Sequence, residues 1–368
     1  MEDKNLRKDL TLKSLLLTLL KIGAIGFGGG MAMLGLLREH LVKRKNWLSD
    51  NDLSVAVAMG QILPGPFVPN YVEYIGYKLF RLKGMILSVI FFLFPSYLIT
   101  LFLSFFYFHY QKVSLLEDAF TFISPAIPAI LFYCAIRMGK DYIKNLSSLF
   151  FSFIAFWGLY FKLELFFVIA LLGFLGIFLA RIRQRKFVSS LFSFSPILLL
   201  QLFYIFLKIG ALIFGGGFAA IPFIEKEVVT SRGLLTSKAF IDGVAISQIT
   251  PGPVAILATF VGYGVGGILG SLVATIAIFL PSFIMLFFLI KVYEKIRENF
   301  YVKSFLSGVK PGIVGILLFS AFSLGKIAIF DLKTLIIALL SFSLLFFLEP
   351  IFIIFGLGIL GIISGRLF

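Results

Sequence analysis

Two glutamines stand in the same place relative to the same tripeptide. Gln61 lies three residues before Pro64-Gly65-Pro66, and Gln248 lies three before Pro251-Gly252-Pro253. Two lysines repeat the pattern further upstream. Lys21 lies seven residues before Gly28-Gly29-Gly30, and Lys208 seven before Gly215-Gly216-Gly217. All four side chains fall inside apolar runs. A glutamine amide there needs partners and can donate two hydrogen bonds to an oxyanion. A lysine inside a span costs about 2.5–3.5 kcal/mol on insertion scales, so it marks a function or a side chain that snorkels to the interface. The chemistry open to this set is anion binding. The plainer readings are an interhelical hydrogen bond for each glutamine and snorkelling for each lysine.

The glycine and proline motifs must break whatever helices carry them. Pro64 and Pro66 lack N–H donors, and Gly65 permits the torsions of a sharp turn. Helices restarting near Phe67 and after Gly30 would aim free N–H groups and positive dipole ends at the breaks, as would both copies in the second half. Small residues also serve close helix packing, which is the competing reading for a glycine triplet. Ser96 and Ser282 each follow a proline in a long span, where they could donate to a substrate or to kinked backbone. Glu39, Glu225 and Glu227 follow the triplets by eight to ten residues. They read as membrane-edge charges, with proton coupling as the alternative.

The elements that carry these residues are membrane spans. The chain has 368 residues, 60% of them hydrophobic and only 14% charged, with 47 phenylalanines. A soluble domain carries about 25% charged residues. Long apolar runs, and not ten-residue alternations, predict helices and exclude a transmembrane barrel. The single cysteine, Cys134, excludes an internal disulfide or a CxxC site, and two histidines are too few for a histidine metal centre. No cofactor or metal is expected. No cleavable signal peptide is read at the start. The net charge of +15 lies mainly in short loops, as positive-inside bias requires, so it is not read as a nucleic-acid surface.

The chain is an internal duplication. The motifs above recur at an offset of 187, and 14 of the 40 positions from Phe27 to Pro66 are identical without a gap. Beyond them, Pro95-Ser96 matches Pro281-Ser282 and Pro125 matches Pro311, at an offset of 186. The predicted halves are 1–186 and 187–368. In each half a helix from about Ser14 breaks at Gly28–Gly30 and continues to about Lys45. Ser49 or Asp50 then caps a second broken helix. Spans follow at about 84–108, 119–139, 146–161 and 165–180, with kinks at Pro95 and at Pro125/Pro128. About ten spans plus re-entrant segments result.

Loop charges argue for inversion of the second half. Lys78, Arg81 and Lys83 precede the 84–108 span, whereas the matching stretch from Tyr263 to Gly270 is uncharged. The 110–118 loop balances Lys112 against Glu117 and Asp118, whereas its match carries Lys291, Lys295, Arg297 and Lys303. Equivalent loops of opposite bias fit inverted repeats, and these need an odd number of crossings per half. Paired broken helices at matching positions are the mark of a transporter site. A membrane enzyme would need a His, Asp or Cys constellation within the spans. None is evident, and the acidic residues are expected near span ends. No phosphate-binding loop of the G-x-x-x-x-G-K-[ST] type is present, so energy must come from a gradient or the membrane potential.

Phe27-Gly28-Gly29, the charged stretch to Trp47-Leu48 and Gln61-x-x-Pro64-Gly65-Pro66 together resemble the chromate transporter (CHR) family. So do Phe214 to Gly217, Gly233-Leu234-Leu235-Thr236, Gln248 to Pro253, Phe94-Pro95-Ser96 and Leu280-Pro281-Ser282. The resemblance covers both halves and is that of the long-chain, two-domain form. It implies export of chromate across the inner membrane and resistance to it, with sulfate as a related anion. Two positions depart from the family pattern: Gly30, where many members have proline, and Lys21, where arginine is common. Lysine acts as a point charge and not as a bidentate fork. The expected partners are a chromate- or sulfate-like oxyanion and the bilayer, and a homodimer is one assembly compatible with them.

Overall fold

The computed structural model describes residues 10–27, 29–109, 114–181, 198–214, 216–297 and 299–367. Among these the chain is all helix. The first half comprises α1 (Leu12–Ile25), α2 (Gly29–Leu37, continued as a π-helical turn over Arg38–Arg44), α3 (Asp50–Ile62) and α4 (Phe67–His109). It then continues through α5 (Ser114–Ile123), α6 (Ala126–Tyr142), α7 (Leu146–Tyr160) and α8 (Leu165–Arg181). The second half runs α9 (Leu198–Leu212), α10 (Ala220–Ile224, between a 3-10 turn over Gly217–Ala219 and a π turn over Glu225–Thr230), α11 (Ser237–Ile249) and α12 (Leu257–Arg297, opened by a 3-10 turn at Val254–Ile256). It closes with α13 (Phe300–Ala328), α14 (Leu332–Leu344) and α15 (Pro350–Leu367).

Among the described residues, four helical stretches are long and apolar enough to cross a bilayer: Phe67–His109, Asp118–Tyr142, Val254–Tyr293 and Phe300–Ala328. Many large apolar side chains, Phe102, Phe153 and Leu272 among them, point outward, as a lipid-facing belt requires.

Helices start where local chemistry satisfies their first N–H groups. The Ser49 hydroxyl accepts from the Asp52 N–H, and Asp52 bonds back to Ser49, so the expected cap is a full capping box. Asn145 and Asp331 do the same for α7 and α14. Helix α4 is not one rod. Its backbone leaves the helical range at Phe80 and Arg81, and α12 does so at Gly266 and Gly267. Gly76 packs against Gly84, which an unbroken helix would hold about 12 Å away at 1.5 Å per residue. The Thr259 and Thr275 hydroxyls likewise bond at 2.7 Å across the reversal in α12. Each of these helices therefore folds back on itself. Helical torsions continue through Pro95, where a kink is expected, and through its match Pro281; the non-helical torsions lie at the reversals. Pro125 does part α5 from α6, whereas its match, Pro311, lies inside continuous α13.

The halves interlock. Gly308 and Gly312 of α13 press against Leu172 of α8, and Gly315 meets the Ser152 carbonyl of α7. In return, α15 places Gly361 against Asp118 and Ala119 of α5. Within each half the first helix packs on the returning arm at a glycine. Gly23 meets the Phe92 carbonyl, and Gly210 meets the Ile278 carbonyl.

Candidate functional site

The Pro-Gly-Pro motifs are the tips of helical hairpins. Asp52, at the start of α3, bonds Lys78, at the end of the first arm of α4, at 2.8 Å. Residues 26 apart in sequence meet only if the arms 50–62 and 67–79 run antiparallel. Gly60 packing on Tyr71 near the tip agrees. Burial opposes the Asp52 charge, but hydrogen bonds from Lys78 and Ser49 outweigh it and hold the carboxyl below its usual pKa. In the second half, Gly243 of α11 packs on the Phe260 ring, giving the same hairpin.

Each tip docks on the glycine break of the other half. The Gly65 N–H donates to the Ile213 carbonyl at 2.6 Å, and the Gly252 N–H donates to the Gly26 carbonyl at 2.7 Å. These are equivalent bonds, because Gly26 and Ile213, like Gly65 and Gly252, are 187 residues apart. Both tip glycines hold positive φ, +109° and +106°. A Cβ on Gly65 would lie 2.5 Å from the Ser282 Cβ, and one on Gly252 would collide with the Ser96 hydroxyl. Only glycine fits either position.

Helix N-termini gather at this crossing. Helix α2 starts at Gly29 and α4 at Phe67, while the second-half segments start at Gly217 and Val254. A Cβ on Gly217 would stand 3.2 Å from the Val254 nitrogen, and Gly216 lies against the Phe67 ring. Partial positive charge therefore accumulates where the breaks meet. Gly28 and Gly215 lie outside the described residues.

The polar side chains near the crossing are not symmetric. The Ser96 hydroxyl and Gln248 Nε2 are buried without a hydrogen-bond partner. The Ser282 hydroxyl donates to the Phe279 carbonyl at 3.0 Å, and Gln61 is exposed. Pro64, Pro66, Pro251 and Pro253 are buried. Thr100 of α4 donates to the Thr250 hydroxyl at 3.4 Å, another bond between the halves.

The two lysines do not form the matched pair that their spacing suggested. Lys21 is exposed. Lys208 bonds the buried Glu227 carboxylate at 3.0 Å, and Arg232 reaches the other oxygen of Glu227 at 3.1 Å. The first half has His40 where the second has Glu227, so the partner exists on one side only.

Expectation and structure also part over the acids. Glu39 is a surface charge held by Arg44 and Lys43. Glu225 is buried and accepts from the Ser320 and Ser323 hydroxyls of α13. Asp242 is buried and accepts from Tyr107 at 2.6 Å and Ser124 at 3.2 Å, both from the first half. Glu73 is fully buried within the first arm of α4. The acids are therefore not confined to span ends. Glu73 was passed over in the sequence, although a carboxylic acid in an apolar run is the signal that could have found it. His40 and His109 each face a carbonyl one turn back, and no metal-binding group of His, Cys, Asp and Glu occurs among the described residues.

Two cavities flank α13 at its opposite ends. One, of about 510 Å³, is lined by Lys144, Lys303 and Lys310 with Asp141. The other, of about 350 Å³, is lined by Lys162, Lys226 and Lys326 with Glu225.

Broken helices crossing at the centre of an apolar bundle define a multi-pass membrane protein of the transporter class. The chain belongs to the chromate transporter family, whose profile matches residues 13–177 and 200–362. That family is one of transporters, not enzymes. The chain is 30% identical to a chromate transport protein of Cupriavidus metallidurans, over 96% of this chain and 93% of that protein. It is 30% identical to one of Pseudomonas aeruginosa, over 81% and 77%. An uncharacterized transporter of Methanocaldococcus jannaschii is also 30% identical, over 90% and 89%. No solved structure matches the chain.

Proposed function

We propose that the protein is a secondary transporter that exports chromate, a tetrahedral dianion, across the cytoplasmic membrane and so confers chromate resistance. The observation that carries this reading is the reciprocal docking of each Pro-Gly-Pro tip on the opposite glycine break. The docking gathers helix N-termini of both halves around buried donors. Ser96, Gln248 and free backbone N–H groups hydrogen-bond the oxyanion, and the convergent dipoles balance its charge. Lysines in the two cavities at the ends of α13 attract the dianion to either mouth. Lys208 acts through Glu227 and not as a direct ligand.

The topology that fits this reading is an inverted repeat of five crossings per half. Hairpin arms of 13 residues reach about 20 Å at 1.5 Å each, short of a hydrocarbon core about 30 Å thick. The hairpins are re-entrant, and the α1–α2 segment crosses. Lys43, Arg44, Lys45, Lys78, Arg81 and Lys83 gather near the open end of the first hairpin and support a cytoplasmic location for it. With the inside negative, a dianion gains about 4.6 kcal/mol per 100 mV on leaving, at about 2.3 kcal/mol per charge. That alone sustains a gradient of about a thousandfold at 100 mV, so export needs no further driving force.

The experiment is flux of labelled chromate and sulfate in inside-out vesicles under an imposed potential. Saturable chromate uptake that follows the potential supports the proposal. Sulfate flux without chromate flux would replace it with a sulfate carrier of the same fold. Non-saturating flux would mean a channel.

A further inference from the structure

Asn70 and Glu73 lie in the first arm of α4, one and two turns beyond the Pro64-Gly65-Pro66 tip. Both are fully buried. Neither amide atom of Asn70 and neither carboxylate oxygen of Glu73 has a hydrogen-bond partner. The Ser88 hydroxyl, which faces Gly76 across the reversal, is also buried and unpartnered. Buried polar groups in native proteins are nearly always bonded, so five such atoms on one helical hairpin call for an explanation.

The second hairpin treats these positions differently. Ile75-Gly76-Tyr77 matches Val261-Gly262-Tyr263 at the offset of 186, so Glu73 matches Thr259 and Asn70 matches Ile256, both fully buried. The Thr259 hydroxyl bonds that of Thr275 at 2.7 Å, so the second hairpin satisfies its polar group within the fold, while the first leaves a carboxyl and an amide without partners.

We infer that Glu73, flanked by Asn70, binds a proton that is coupled to the anion at the crossing. A carboxyl group with no exposure and no donor is stable only as the neutral acid. A hard metal cation takes about six or more oxygens, and from residue 70 to residue 88 the buried side-chain oxygens without a partner are those of Glu73, Asn70 Oδ1 and Ser88 Oγ. The ionisable groups on the surrounding elements are Tyr71, Tyr74 and Lys78 on its own arm, Asp50 and Asp52 on α3, Lys13 and Lys21 on α1, Lys238 and Asp242 on α11, and Arg81 and Lys83 at the reversal. Tyr293 and Lys291 come from α12. None of them bonds Glu73. Lys78 pairs with Asp52, Arg81 lies over Tyr77, and Lys291 over Phe287.

Glu73 lies about 9 Å along the helix from Phe67, at 1.5 Å per residue. An ionised Glu73 would repel a dianion at that N-terminus, and a proton removes the repulsion. Proton and dianion therefore bind together. One proton per dianion leaves one net negative charge, so the potential still drives exit with half the pull. This inference rests on the reading of the crossing as the anion site.

The test compares wild type with Glu73→Gln and Glu73→Asp in chromate counterflow across pH. Wild-type affinity should fall up to tenfold per pH unit once Glu73 loses its proton. Glu73→Gln should retain exchange and lose that slope, while Glu73→Asp keeps the slope with a moved midpoint. Protonation of chromate itself acts equally on all three proteins. An unchanged slope in Glu73→Gln, or sodium dependence at fixed pH, overturns the proposal. Infrared titration without anion separates the two readings. A carboxylic-acid band that titrates in wild type and is missing in Glu73→Gln supports the proton site even if chromate is not carried. A wild-type band unchanged across pH overturns the site even if chromate is carried.

Discussion

Ser96 and Ser282 occupy matching places at the crossing but differ in what their hydroxyls do. Ser282 is bonded to its own helix, while Ser96 faces Gly252 with nothing to bond. A hydrogen bond to a charged group is worth about 1.5–3 kcal/mol, so Ser96→Ala should weaken anion affinity about ten- to a hundredfold. Ser282→Ala should change it less than about threefold, since its hydroxyl merely repeats a bond within the helix. Competition binding with chromate checks both, and equal effects would count against an asymmetric site. Lys208 poses a different question. Removing it leaves the buried Glu227 with Arg232, and we expect a loss of about 1–3 kcal/mol of stability, less than for a wholly stranded charge. Glu227→Gln in the Lys208→Ala background should restore most of that stability, and transport with it. Thermal unfolding and flux of the single and double variants check this. A stable double variant that fails to transport would make Lys208 an anion ligand after all.

The motifs mark the breaks because glycine and proline act on the backbone of their own segment. Caps are equally local, and Ser49 was legible for that reason. The reversals at 80–81 and 266–267 were not. In the first half the turning residues are Phe80 and Arg81, which carry no breaker signal, and the close approach of Gly76 and Gly84 that accommodates the turn exists only once the chain has folded back. Lys208 was misplaced for a related reason: spacing puts a side chain on a helix, but only packing supplies Glu227 from the next element. Arg81 itself turns with φ 54° and ψ −147°, a region open essentially to glycine, and its counterpart is Gly267 at φ 60° and ψ −149°. The strain is about 1–3 kcal/mol, partly offset by the extra chain entropy that glycine loses on folding. Arg81→Gly should therefore stabilise the protein by about 1 kcal/mol, seen as a melting temperature a few degrees higher in detergent. A lower melting temperature would mean that the Arg81 contact with Tyr77 outweighs the strain.

At the scale of the molecule, an inverted duplication would give reciprocal contacts and opposite loop charges one common cause. If the second half is the first turned over, a tip entering from one face meets a tip entering from the other, and each reaches the break of its partner. Parallel repeats would bring both hairpins in from the same face and leave the charge reversal unexplained. The difference is open to labelling, because Cys134 is the only cysteine and its removal gives a blank background. Single cysteines at Lys83 and Lys303 should react from the cytoplasmic face with a reagent that does not cross the membrane. A cysteine at Ile268, the match of Leu82 and itself exposed, should react from the opposite face. Lys162, between α7 and α8, should label with Ile268. Labelling of positions 83 and 268 from one face would make the repeats parallel. The hairpin tips would then have to approach from the same side, and the membrane midplane could not be where they meet.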